Sequence, residues 1–204
     1  MRLHRARGNA QAKLVGYVAA MLLYRPVGAA ELRLMYSLGM RGFPPRLPEQ
    51  PIFYPVTNRA YAAQIAREWN AASEEQVGFV TRFAVEDAYV ARFPRRIVGA
   101  REHEELWVPA EDLETFNRHI EGPVEVIEAH FGSGYRATEL EALRALPSDA
   151  ALREAIASSA PIVFLDYYFW EHESARAGGD PLLARIAHCW GEDEPRPRLG
   201  LSST

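Results

Sequence analysis

The chain has 204 residues, of which 48% are hydrophobic and 25% charged, with 23 lysines and arginines against 27 aspartates and glutamates and a formal net charge of -4. That size and balance suit one soluble domain, or one domain with an appendage, around a core of useful size. The charge sign excludes a general nucleic-acid binder, which needs a basic face to displace counterions, and a single cysteine, Cys189, excludes an internal disulfide framework and a cysteine-rich zinc site.

Along the chain, Arg2, His4, Arg5 and Arg7 precede an apolar stretch from Leu14 to Tyr24 with the character of a short signal-peptide core. The reading adopted against export is a cytoplasmic protein whose folded unit starts near Met21, with residues 1–20 a loosely attached extension. No run reaches the roughly 18 apolar residues of a membrane span. Residues 22–25 read as a strand stopped by Pro26. Residues 29–38 have helical spacing and end at Gly39. Residues 40–51 form a long loop whose four prolines forbid a helix, and loops of that length are often functional.

A second strand is predicted over 52–56, with Thr57 or Asn58 as the cap of a helix reaching Trp69 and carrying Tyr61, Ile65 and Trp69 on one face. Further strands follow at 77–85, 95–98, 106–108 and 124–131, with helices at 86–92 and 110–119. After Gly132-Ser133-Gly134 only helical patterning remains, at about 137–146, 148–158, 161–176 and 181–190. Residues 191–204 have few apolar side chains and read as disordered. The expected organisation is an extension over 1–20, an α+β unit over 21–132, a helical appendage over 133–190 and a tail over 191–204.

The segment Glu102, His103, Glu104, Glu105, Leu106, Trp107, Val108, Pro109 sets carboxylates and an imidazole at the mouth of an apolar strand. Alternation puts His103 and Glu105 on one side and Glu102 and Glu104 on the other. Such an anionic cluster stabilises developing positive charge; a solvated turn is the competing explanation. Arg25 ends the first strand, and Phe53-Tyr54-Pro55-Val56-Thr57 forms the second, followed by a helix with Ala60, Ala62, Ala63 and Ala66.

This order resembles the ADP-ribosyltransferase fold of the bacterial toxin and mono-ADP-ribosyltransferase kind, over about 110 residues. There an arginine ends the first strand, a Ser/Thr or Tyr-containing strand precedes a helix, and a catalytic glutamate stands just before a strand of the form Glu-Val-Leu-Leu-Pro. Arg25, the 53–57 segment and Glu105 match these in turn. The Ser-Thr-Ser triplet is replaced by Tyr-Pro-Val-Thr, and His103 stands two residues before the glutamate, where members carry Glu or Gln.

The resemblance implies a split mixed or antiparallel sheet with flanking helices, plus the helical appendage, and NAD as substrate without a metal. Cleavage of the nicotinamide–ribose bond builds oxocarbenium-like charge, which a carboxylate stabilises. Glu105 is the candidate for that role. Arg25, with its planar fork, is the catalytic and phosphate-binding partner. Tyr54 offers a face to nicotinamide, with Phe53 in reserve on the opposite side of the strand. Thr57 and His103 complete the cofactor-binding set. ADP-ribose passes to an unidentified protein acceptor, or water hydrolyses NAD.

Each residue has a plainer reading as well. Arg25 would pair with a surface carboxylate, Tyr54 would be a core aromatic, Thr57 a helix cap and His103 a surface imidazole. The second functional reading is a non-enzymatic interaction or immunity-type module on the same scaffold. A third is an enzyme acting on another small molecule. The enzyme requires Arg25, Tyr54 and Glu105 to converge on one open cleft; in the module that cleft is filled, by the proline loop or the helical tail. Glu171, His172, Glu173 and His188 lack the spacing of a helical metal pair. Residues 132–134 lack a phosphate-loop pattern. The aromatic run 167–170 reads as core, or as a partner-binding face.

Overall fold

A computed structural model describes residues 19–197. The expected 1–20 extension therefore lies outside the described residues except for Ala19 and Ala20, as does the expected tail beyond Pro197. The elements in order are β1 (Ala20–Val27), α1 (Ala29–Ser37), β2 (Ile52–Phe53), α2 (Arg59–Ile65), β3 (Val77–Glu86), α3 (Asp87–Val90), β4 (Arg95–Ile97), β5 (Glu104–Leu106), β6 (Val108–Pro109), α4 (Leu113–Arg118), β7 (Ile120–Phe131), α5 (Leu140–Arg144), α6 (Asp149–Arg176) and α7 (Pro181–Cys189). This is a mixed α+β fold with antiparallel sheets and a long C-terminal helical region. No helix among the described residues is long and apolar enough to cross a membrane.

The main sheet is antiparallel in the order β1-β3-β7. One residue extends it. Val56 bridges Tyr24 on one side and Glu105 on the other, both antiparallel, which attaches the β4–β5 ribbon to the β1 edge. A separate ladder pairs β2 with β6.

Period-two alternation sorts the side chains onto two faces. Leu23 and Val27 of β1 and Phe79, Phe83 and Val85 of β3 point to one face. There they join Leu32 and Met35 of α1 and Leu152, Ile156, Phe164 and Tyr167 of α6 in one continuous core. Val56 and Val80 point to the other face, where Tyr61, Ala62, Ala63 and Ala66 cover them. The helical region expected as an appendage thus completes the first core. Its aromatic run is interior: Tyr167, Tyr168 and Trp170 are at most 5% exposed.

Differences from the expected boundaries have local causes. β1 starts at Ala20 and runs through Pro26, where a stop was expected. The Tyr24 N–H points to Val56, so the N–H that Pro26 lacks would point to the same side, away from β3. Ala19 also joins the fold, its carbonyl accepting from the Asp87 N–H at 2.9 Å. The second strand, expected over 52–56, is cut to β2 plus the isolated Val56, with Pro55 between. The strand expected at 106–108 divides at Trp107 into β5 and β6, which join different ladders.

The 58–69 helix ends as a π-helical turn over Ala66–Asn70. The wider turn breaks the 3.6-residue phase, so Trp69 leaves the face of Tyr61 and is 66% exposed. The helices expected at 148–158 and 161–176 are one element kinked at Ser159 (φ -139°, ψ 26°), because Pro161 removes a donor and crowds the preceding turn. At the tail, Glu194 accepts a hydrogen bond from the Tyr36 hydroxyl, which ties part of the segment expected to be disordered onto α1.

Candidate functional site

Glu105 is in the middle of β5. Because Tyr24, Val56 and Glu105 are directly opposed across the ladder, their side chains share a face, the one that α2 covers. Asn58, rather than Thr57, caps that helix: its Oδ1 accepts from the N–H groups of Ala60 (2.8 Å) and Tyr61 (3.2 Å). The cap fixes Tyr61 in the first turn, aimed at β5. Thr57 adjoins the site through its backbone, its N–H donating to the Glu104 carbonyl at 3.2 Å.

Both oxygens of Glu105 are engaged. The Tyr61 hydroxyl donates to Oε1 at 3.1 Å, and the Trp107 Nε1–H donates to Oε2 at 3.3 Å. Neither donor carries a charge, so together they orient the carboxylate without neutralising it. Burial, then the charge of Glu105 and the hydrogen bond to it, push the Tyr61 phenol up to about 12, which keeps it a donor at neutral pH. Flat rings surround the group. His103 stacks on Tyr61 with centroids 4.1 Å apart and planes at 14°. Its Nδ1 accepts from the Ala100 N–H at 3.3 Å, so the neutral ring carries its proton on Nε2. Tyr54 meets Trp107 edge-on at 5.4 Å, and the Arg96 guanidinium lies 4.7 Å over the Trp107 ring.

Arg25 lies elsewhere. Adjacent to Tyr24 in an extended strand, it points to the opposite face from Glu105. Its Nε and Nη2 donate to the two oxygens of Glu31 at 3.0 and 3.1 Å, and its Nη1 donates to the Tyr54 carbonyl at 3.3 Å. The guanidinium sits 5.0 Å over the ring of Phe53, which is fully buried. The structure thus brings Tyr54, His103 and Glu105 into one cluster through Trp107 and Tyr61, with Thr57 at its margin. Arg25 touches that cluster only through the backbone of Tyr54, so the expected convergence of Arg25 with Tyr54 and Glu105 is not what the fold builds. A strand cannot present consecutive residues to one face, and Arg25 was offset by one from the residue that aligns with Glu105.

Sequence reasoning passed over Tyr61, Trp107, Arg96 and Arg46. Trp107 was legible, since it stands two residues after Glu105 and so shares its side of an extended chain. Tyr61 was read only as a member of an apolar helix face. Its contact spans 44 positions, and no local pattern reports that. Arg46, in the proline loop, lies 3.8 Å from the Glu31 carboxylate.

A second polar cluster lies on the same face of β7. Glu128, 6% exposed, accepts from Arg59 Nη2 at 3.0 Å and has His130 Nε2 2.8 Å from its other oxygen. Among the described residues, no group of three or more His, Cys, Asp or Glu side chains is placed to hold a metal ion. Compared with known proteins, the chain matches no family model, no curated protein and no solved structure.

Proposed function

We propose that this chain is an ADP-ribosyltransferase-like protein that binds NAD and cleaves its nicotinamide–ribose bond beside Glu105. The observation that carries the reading is the mounting of Glu105, whose two oxygens are held by Tyr61 and Trp107 within a group of aromatic rings. When the bond breaks, its electron pair leaves with nicotinamide and positive charge develops at the ribose. A carboxylate already oriented by neutral donors stabilises that charge with little reorganisation. Tyr54 and Trp107 offer apolar faces for the nicotinamide ring. His103 and Thr57 border the ribose end. Water, or a nucleophile on a protein acceptor, then takes the ribosyl carbon. The β2–β6 ladder standing apart from the main sheet supports the split-sheet architecture that belongs to this reading. Arg25 enters it as a strut under Tyr54 rather than as a phosphate clamp.

The test is nicotinamide release from NAD, followed chromatographically, in wild type and Glu105→Gln. Release that disappears in the variant while the melting temperature is retained is the expected result. Wild-type protein that neither releases nicotinamide nor binds NAD refutes the reading.

A non-enzymatic interaction module on the same scaffold is the second reading. The observation favouring it is the two-bond pairing of Arg25 with Glu31, which commits to the interior the cation that an NAD enzyme would be expected to turn toward phosphate.

A further inference from the structure

Two guanidinium groups face one carboxylate beneath Tyr54. Arg25 takes both oxygens of Glu31 at 3.0 and 3.1 Å, and Arg46 Nη1 approaches the same carboxylate at 3.8 Å. One positive charge is left over among the three groups. Arg25 and Arg46 each keep 11% of their side-chain surface open, and Glu31 keeps 20%. At that burial water screens the surplus charge poorly, yet the cluster still borders solvent. Every nitrogen of Arg25 has an acceptor. Arg46 does not reach that state: Nη2 donates to Gln50, but Nε is buried with no partner. Burial, then the neighbouring Arg25, hold the Arg46 guanidinium below its ordinary range.

The loop that carries Arg46 is restrained in its backbone. Pro44, Pro45 and Pro48 restrict its backbone. Asn117 clamps it from both sides, accepting from the Phe43 N–H at 3.0 Å and donating to the Phe43 carbonyl at 2.9 Å. Arg46 is within electrostatic reach of Tyr54, and Tyr54 packs on Trp107, whose indole N–H holds Glu105. Contacts therefore run from Glu105 through Trp107 to Tyr54, which lies within electrostatic reach of Arg46. A guanidinium carrying surplus charge at the edge of solvent suits an anionic oxygen ligand.

We propose that Arg46 is the principal donor of a phosphoryl-binding site, and that the ligand's phosphates take up the charge Glu31 leaves uncompensated. That the ligand is a dinucleotide, with its diphosphate at Arg46 and its nicotinamide end at Glu105, rests on the NAD reading; the oxyanion site itself does not.

Titration calorimetry on the full chain with inorganic pyrophosphate tests the site. Wild type binds it, Arg46→Gln binds at least about tenfold more weakly, and Trp69→Ala, an exposed residue outside the site, binds as wild type does. Arg46→Lys keeps the charge and loses the fork, so it binds about threefold more weakly; it serves as the folded comparison should the glutamine variant fail to fold by circular dichroism. No pyrophosphate binding by wild type, or equal affinity in folded Arg46 variants, overturns the proposal. Pyrophosphate binding without NAD binding keeps the site and removes the NAD reading. NAD cleavage indifferent to Arg46, with pyrophosphate still bound there, keeps the site and removes the placement of the dinucleotide's diphosphate at Arg46.

Discussion

Tyr61 and Glu105, 44 positions apart, meet through a hydrogen bond of 3.1 Å from phenol to carboxylate. The bond joins the first turn of α2 to the middle of β5, so it fixes the orientation of the carboxylate and docks the helix in one contact.

The bond gives stability a defined pH dependence. The folded phenol is raised from 10.0 to about 12, by burial first and then by Glu105. A raised pKa contributes stability that is fully present below the unfolded value near 10 and lost as pH climbs through about 12. Tyr61→Phe removes that contribution. Urea unfolding at pH 8 and at pH 11 should therefore show the advantage of wild type over Tyr61→Phe shrinking at the higher pH; a constant gap contradicts the assignment.

Arg25 and Glu105 should separate by readout. Arg25→Gln deprives Glu31 of its two-bond partner in a largely buried setting and is expected to cost about 2 kcal/mol. Glu105→Gln keeps the shape of its side chain and is expected to change stability by less than about 1 kcal/mol. Thermal melts of the two variants check this. Equal losses would mean that Glu105 is as structural as Arg25.

Gly78 is the point where the π-helical turn rests on β3. A Cβ there would stand 2.1 Å from the backbone oxygen of Ala66. Backbone cannot rotate aside as a side chain does, so Gly78→Ala should cost about 3 kcal/mol or more. Trp69→Ala, on the same turn but 66% exposed, should stay within about 0.5 kcal/mol of wild type. Paired melting curves decide, and the reverse order would misplace the turn.

Asp166 is 4% exposed and accepts from the Tyr135 hydroxyl at 2.7 Å and the Thr138 N–H at 2.9 Å. Burial, and then this carboxylate, push the Tyr135 phenol upward. Asp166→Ala leaves the Tyr135 hydroxyl and the Thr138 N–H without the acceptor of these partly buried bonds and should cost about 2 kcal/mol. Limited proteolysis should then cut first within residues 133–146, the stretch those bonds hold against α6. Unchanged cleavage sites would show that the stretch is anchored by other contacts.

How much of this was legible depends on the range of the signal. Alternation located β3 and β7 to within a few residues, and Pro161 marked a break that the structure turns into a kink. Asn58 and Thr57 were both credible caps, and only the two bonds to Asn58 Oδ1 decide between them. The merging of the helical region with the sheet's core was not legible. Leu152 and Phe164 carry no mark of which face they cover, because helical period reports that a face is buried and not against what. Of the residues grouped from the sequence, Glu105, His103 and Tyr54 lie in one cluster. Arg25 was grouped with them through strand order alone, which fixes adjacency of strands but leaves the side of the sheet open. Arg46 escaped because its partners, Glu31 and Arg25, lie in other elements.

Among the described residues, Val56 is the one isolated bridge residue that joins β1 to β5. Its backbone exchanges hydrogen bonds with Tyr24 at 2.8 and 2.9 Å, while its neighbours reach β5 through Thr57 N–H to Glu104 and Leu106 N–H to Pro55. By backbone hydrogen bonds, the ribbon bearing Glu105 is therefore joined to β1 through the short stretch Pro55, Val56 and Thr57. In hydrogen–deuterium exchange the Leu106 amide should open by local unzipping of that stretch, well before the amides shared by β1 and β3 yield.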